Sequence, residues 1–185
     1  MSFRKICIGI ALLIIPASAR CVDFRSFQRG DEEISVSLGR GGNHRIPESA
    51  KDRFQFDSAR LRYAWFTSPS VQGMLDLDYT WTSDGSWGQS LSGTVGVRRF
   101  VWRRNGEGLS VGAHFGLSRM RQPSSELGTR TNFVEQLGVS YHYSVDDDNA
   151  LSVEYRFSHV SNGGIRLPNV GINASLISVG YSWFK

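Results

Sequence analysis

The sequence predicts an all-β fold, an eight-stranded antiparallel transmembrane β-barrel, and three observations carry that reading. Apolar and polar residues alternate strictly in one segment after another, aromatic residues gather at the segment ends, and short turns alternate with longer loops along the chain. Alternation of this kind places one greasy and one polar face on each strand, because side chains two apart point the same way.

The first residues stand apart from this pattern. Arg4 and Lys5 precede an apolar run from Ile6 to Pro16, and Ala17-Ser18-Ala19 supplies a small-x-small cleavage signature. A secretory signal peptide over residues 1–19 is therefore expected, leaving residues 20–185 as one barrel domain. The apolar run is too short to cross a bilayer as a helix. Cys7 leaves with the signal and Cys21 then stands alone, so the mature chain has no internal disulfide. Arg20 is a poor match to the small residue that lipid attachment at the next cysteine requires, and Cys21 reads as incidental.

The net charge of +4 suits an anionic partner, whether nucleic acid, a membrane surface or a phosphorylated lipid, and charge alone does not choose among them. No 18-residue apolar stretch follows the signal, which excludes transmembrane helices. The 20 glycines and 12 % aromatics favour strands and leave two classes in contention, a globular β-fold and a membrane barrel.

The strands decide between them. Glu33–Arg40 opens the series. Ala59, Leu61, Tyr63 and Trp65 then interleave with Arg60 and Arg62, and Leu75, Leu77, Tyr79 and Trp81 with Asp76 and Asp78. Gln89–Trp102 is the fourth strand. In the fifth, Val111, Ala113 and Phe115 oppose Ser110, Gly112 and His114; Phe133–Tyr143, Leu151–Phe157 and Ile177–Trp183 complete eight. Eight is the smallest even number that outer-membrane barrels use. Trp65, Trp81, Trp87, Trp102 and Trp183 lie at strand ends, where interfacial girdles require aromatics. The terminal Trp183 and Phe184 also resemble the last strand of bacterial outer-membrane proteins. On this reading the greasy faces meet lipid and the polar faces fill the lumen.

Short turns fall at Ser68-Pro69, Asn105-Gly106 and Asp146–Asn149, and longer connections at Gly41–Lys51, Arg121–Arg130 and Asn162–Gly171, with a less long one at Ser83–Trp87. Short turns are periplasmic and long loops extracellular in such barrels. The seventh strand thus runs outward and ends near the outer leaflet.

That strand carries the chemistry. Its apolar stripe Leu151, Val153, Tyr155, Phe157 continues at the same parity into His159 and Ser161. Polar groups on a lipid-facing stripe are costly, which marks them as candidates for function. A neutral imidazole can take the Ser161 proton while the oxygen attacks an ester carbonyl. The glycines of Asn162-Gly163-Gly164 permit unusual backbone angles, so their N–H groups or the Asn162 amide are candidates to receive an oxyanion. Glu135, on the greasy parity of the sixth strand, falls roughly opposite Val160, between His159 and Ser161. It is a candidate to orient or charge His159, or to bind a phosphate-bridging cation. His114 and His142 have lumen parity, His44 reads as a loop residue, and no histidine pair has metal-ligand spacing on one face. Arg45, Arg121, Arg130 and Arg166, in the loops, are candidates to grip phosphates.

The run Arg156-Phe157-Ser158-His159-Val160-Ser161-Asn162-Gly163-Gly164, followed by Pro168-Asn169-x-Gly171, resembles the lipid A 3-O-deacylase (PagL-type) family. The likeness extends over most of the mature chain, including Ser37-Leu38-Gly39-Arg40. It implies an eight-stranded outer-membrane barrel that hydrolyses the 3-position ester of lipid A on its outer surface, without a cofactor. It implies Ser161 as nucleophile, His159 as base, and Asn162 with the Gly163 N–H as oxyanion donors. The family's acidic third member falls, by spacing, at Asn173, so either an asparagine completes the triad, or another acid such as Glu135 substitutes, or the enzyme is impaired. The rivals are a non-enzymatic small barrel acting through its loops and a basic soluble nucleic-acid-binding β-barrel. The signal peptide and the lack of paired stacking aromatics on a basic face count against the latter.

Overall fold

A computed structural model describes residues 22–44, 46, 53–82 and 88–185. The expected signal peptide, Cys21, Arg45 and Trp87 lie outside them. Eight strands follow in chain order: β1 (Glu32–His44), β2 (Gln55–Ser68), β3 (Val71–Thr82), β4 (Gln89–Arg104), β5 (Glu107–Met120), β6 (Thr131–Ser144), β7 (Asn149–Ser161) and β8 (Ile172–Phe184). Each pairs antiparallel with its sequence neighbour, and β1 closes onto β8, so no strand edge is left unpaired. Closure of this kind is what lets strands cross a bilayer with every backbone group satisfied. The strands run further than the alternation indicated, while the loops between β5 and β6 and between β7 and β8 keep the expected bounds.

The burial pattern is the inverse of a soluble protein. Leu38, Leu75, Val95, Leu137 and Ile177 are exposed on the outer surface, whereas Arg60, Arg62, Asp76, Arg98 and Arg156 are buried inside. The alternation slips once in β4, where a bulge between Phe100 and Trp102 turns both Val101 and Trp102 outward. Trp65 and Gly73 are direct partners across β2 and β3, and the indole lies where a Gly73 side chain would sit. The glycine thus makes room for a girdle tryptophan to lie flat along the sheet.

An ion network fills the middle of the lumen, and a cavity of about 70 Å³ lies beside it toward the loop end, lined by Arg60, Asp78, Gln136 and Arg156 together with Phe54 and Met120. Asp76 accepts two hydrogen bonds from Arg62 at 2.7 and 2.8 Å and lies 3.3 Å from Arg156. Asp78 takes Arg60 at 2.6 Å, and Glu154 takes Arg60 at 3.1 Å and Arg62 at 3.4 Å. Glu33 accepts from Arg98, Gln72 and Ser182. Pairing of this density is what makes buried charge tolerable. The two lumen histidines behave differently: His114 lies 3.3 Å from Asp76, while His142 pairs with the Ser110 hydroxyl at 3.0 Å.

Apolar clusters close both ends. At the turn end, Val22, Phe24 and Phe27 enter the barrel and pack on Phe66, Phe100, Ala150 and Phe184. This segment is pinned by Val22 N–H to Asp146 O at 2.8 Å and Gly106 N–H to Val22 O at 2.9 Å. At the loop end, Phe54, Met120, Leu127 and Ile172 form a second cluster with Phe56 and Val160 packed against it.

Candidate active site

β7 carries the outward stripe to the loop end, where Tyr155, Phe157, His159 and Ser161 follow one another on the outer surface. The registers of three strand pairs then align one row across four strands: Glu135 of β6 opposite His159 of β7, His159 opposite Asn173 of β8, and Asn173 opposite His44 of β1. The sequence had Glu135 opposite Val160; the observed register differs by one residue. Directly opposed residues share a face, so an outward Glu135 pairs with outward His159 and not with inward Val160. His44, expected in a loop, is the last residue of β1.

Of the two groups considered behind His159, it is Asn173 that makes the contact. Its Oδ1 lies 2.9 Å from His159 Nδ1. Glu135 forms no hydrogen bond or ion pair among the described residues, although its backbone is directly across from His159. No group of three or more His, Cys, Asp or Glu side chains converges among the described residues.

Gly171 sets the position of the ring from the other side. It has φ +81°, and a Cβ there would stand 2.8 Å from His159 Cε1. Both the backbone conformation and the close approach demand glycine. Gly171→Ala is expected to push the imidazole away from Ser161 and lower kcat about a hundredfold, while leaving the barrel folded. Steady-state kinetics on the purified variant check this, and unchanged kcat would contradict it.

Ser161 is half-buried and its hydroxyl has no hydrogen-bond partner among the described residues. No hydrogen bond joins it to His159 among the described residues, since same-face neighbours on a flat strand are about 7 Å apart. The residues after it form a compact loop. Asn162 is fully buried. Its backbone N–H donates to Asn169 Oδ1 at 2.8 Å, its side-chain amide donates to the Arg166 carbonyl at 2.5 Å and the Pro168 carbonyl at 3.3 Å, and its Oδ1 accepts the Gly164 N–H at 2.9 Å. Every donor of Asn162 is thus spent on the loop, and the expected oxyanion contact from its amide is not available in this arrangement. Gly163, at φ +64°, is exposed and its N–H carries no hydrogen bond among the described residues, which makes it the candidate beside Ser161 to meet an oxyanion. The role of Asn162 as a loop anchor and of Asn169 as its partner was not visible in the sequence, where neither shows any periodicity.

The arginines separate. Arg130 and Arg166 line one outer groove of about 530 Å³ with Leu117, Phe133 and Ile165, and Phe133 is the direct partner of Ser161. Arg121 lies in a different depression beside Tyr79 and Trp81. Ile165 and Leu167 are among the most exposed apolar residues of the protein, at 74 % and 84 %. A groove that is apolar on the membrane side and cationic above fits an amphiphile with a negatively charged head.

Comparison with known proteins agrees with this architecture. The chain aligns with the crystal structure of Neisserial surface protein A at 13 % identity and TM-score 0.67, covering 83 % of this chain and 98 % of that one. It aligns with the crystal structure of the outer membrane enzyme PagL at 19 % identity and TM-score 0.61, covering 80 % and 97 %. The outer membrane protein OprG of Pseudomonas aeruginosa aligns at 10 % identity and TM-score 0.55, covering 88 % and 99 %. At these identities the likenesses establish the closed barrel shared by outer-membrane proteins. No curated protein sequence matches the chain. The family profile described as lipid A 3-O-deacylase (PagL) matches residues 53–182, a span that runs from the start of β2 almost to the end of β8 and includes the whole His159–Gly171 segment. The chain is an outer-membrane β-barrel of the bacterial cell and belongs to the lipid A 3-O-deacylase (PagL) family.

Proposed function

We propose that the protein is a serine esterase that hydrolyses the ester-linked acyl chain at the 3-position of lipid A. The observation that carries this reading is the contact between His159 Nδ1 and Asn173 on the lipid-facing surface, with Ser161 two residues along the same stripe. His159 Nε2 takes the Ser161 proton as the oxygen attacks the acyl carbonyl. The Gly163 N–H receives the oxyanion. Collapse breaks the ester bond, and His159 returns the proton to the departing sugar hydroxyl. Water, activated by the same imidazole, then cleaves the acyl-serine. The groove of Arg130 and Arg166 is assigned to lipid A phosphate and Arg121 to a more distant contact; Arg45 completes the set of cationic loop residues. The chemistry needs no cofactor.

The likeness to Neisserial surface protein A exceeds that to PagL in TM-score, so the fold by itself does not separate an enzyme from a barrel that acts through its loops. The deciding experiment is mass spectrometry of lipid A from an enterobacterial host expressing the protein. Loss of one 3-hydroxyacyl chain from the 3-position is expected; unchanged lipid A favours the non-enzymatic barrel.

Two substitutions probe the group behind the histidine. An amide stabilises a developing imidazolium less than a carboxylate does, so Asn173→Asp is expected to raise kcat about tenfold. A fall in kcat would mean that the asparagine is required as such. Glu135, which has no hydrogen bond or ion pair among the described residues, is assigned to stabilise the imidazolium through space. Glu135→Gln is expected to lower kcat roughly tenfold with KM little changed, and full activity would remove it from the mechanism.

A further inference from the structure

An asparagine behind a catalytic histidine poses a problem that a carboxylate does not. The two oxygens of a carboxylate are equivalent acceptors, whereas an amide has one accepting end and one donating end. With the oxygen toward the ring, Nδ1 carries the proton and Nε2 is free to act as base. With the amide turned over, its NH2 faces Nδ1, the proton moves to Nε2, and the base is lost.

The far end of Asn173 resolves this. Its Nδ2 donates to the backbone carbonyl of Ile46, while its Oδ1 faces His159 Nδ1 at 2.9 Å. A backbone carbonyl only accepts, so an inverted amide would set two oxygens against each other. Ile46 stands two residues beyond the end of β1, and its placement is fixed close by. His44 Nε2 is 2.7 Å from Ser175 Oγ, which is in turn 2.8 Å from the Tyr155 hydroxyl, and the His44 ring stacks on Phe157 at 13° between planes. Ser175 lies two residues from Asn173 on the same outward face of β8, and Tyr155 lies four residues before His159 on β7. These are polar side chains on the lipid-facing parity, where a pair that satisfied nothing else would be costly. Ser175 is no second nucleophile, because it sits mid-strand with neighbouring backbone N–H groups committed to the sheet and no free oxyanion donor.

We propose that His44, Ser175 and Tyr155 pin the end of β1 so that the Ile46 carbonyl locks the Asn173 amide in the one orientation that makes His159 a base. They are positioning residues, and the lock substitutes for the symmetry that an acid at position 173 would supply. The proposal rests on the esterase reading for its kinetic consequence, and its structural consequence is independent of it.

The test joins His44→Phe, which keeps an aromatic ring on Phe157, with Ser175→Ala. In selectively 15N-labelled protein in detergent micelles at alkaline pH, the wild-type His159 imidazole is expected to show the Nδ1–H tautomer and the double variant a mixture of tautomers. In kinetics on lipid A, the double variant is expected to lose about five- to tenfold in kcat with KM unchanged. Placed in the Asn173→Asp background, the same pair of substitutions is expected not to lower kcat, because a carboxylate needs no orienting and its second oxygen, which cannot donate to the Ile46 carbonyl, gains from the release of that end of β1. An equal loss in both backgrounds, or an unaltered His159 tautomer in the double variant, overturns the lock. Absence of activity in the wild-type protein would instead refute the esterase reading, and the tautomer measurement would still decide the lock. A folded-barrel gel shift on each variant separates these outcomes from misfolding.

Discussion

Ser161→Ala is expected to leave lipid A fully acylated at the 3-position, with kcat reduced by at least about a thousandfold, in a barrel that folds and inserts normally. The expectation follows from where the serine stands. Its hydroxyl supports no hydrogen bond among the described residues, so its removal takes nothing from the sheet or from the loop that Asn162 holds together. Its loss does remove the atom that would form the acyl intermediate. Gly163 and the groove would still bind an ester and stabilise some charge, so a residual rate above the uncatalysed one is compatible with the mechanism. Mass spectrometry of lipid A from cells expressing the variant, beside heat-shifted electrophoretic mobility as a folding control, provides the measurement. A lipid A product indistinguishable from that of the unmodified protein would show that Ser161 is not the nucleophile.

Asp76→Ala is expected to have the largest effect on stability, about 3–5 kcal/mol. Asp76 is buried among Arg62, Arg156, Arg60 and His114, and its two oxygens take the bidentate bond from Arg62. Without it, three guanidinium groups face one another with Asp78 and Glu154 left as their acids. Desolvation that was offset by pairing is then uncompensated. Urea unfolding of protein reconstituted in lipid vesicles reports this as a lowered midpoint. A midpoint within error of the wild type would mean that the lumen tolerates unpaired charge. Removing Arg62 together with Asp76 should recover part of the loss, since one unpaired charge leaves with the other.

The barrel was legible in the sequence because a strand's side-chain period is two, and both faces of every strand announce themselves in the alternation. Loop bounds at Arg121–Arg130 and Asn162–Gly171 were legible for a related reason: alternation stops where pairing stops. The candidate pair of His159 and Ser161 emerged from the same rule, as polar residues on an apolar stripe. Features without periodicity were hidden. Val22, Phe24 and Phe27 precede any strand, and their partners Phe66, Phe100 and Phe184 are single inward-facing aromatics on separate strands, so no local pattern connects them. The Glu135–His159 register depended on how the turn after Ser144 closes, a matter of one residue. Asn162 and Gly163 were read together as oxyanion donors, but the amide of a buried asparagine turns toward whichever carbonyls are nearest, and those belong to Arg166 and Pro168. The contact of Asn173 with Ile46 joins residues 127 positions apart, across a closure between first and last strands that no local reading supplies.

The apolar clusters at the two mouths bear on more than stability. Phenylalanines gather at the turn end, Phe54, Met120 and Leu127 at the loop end, and paired ions between them, an interior built to oppose conduction. Among the described residues, an ion moving along the axis would meet two apolar layers and a cluster of paired charges. Such a barrel is expected to add little conductance to the membrane that holds it, which single-channel recording in planar bilayers would measure.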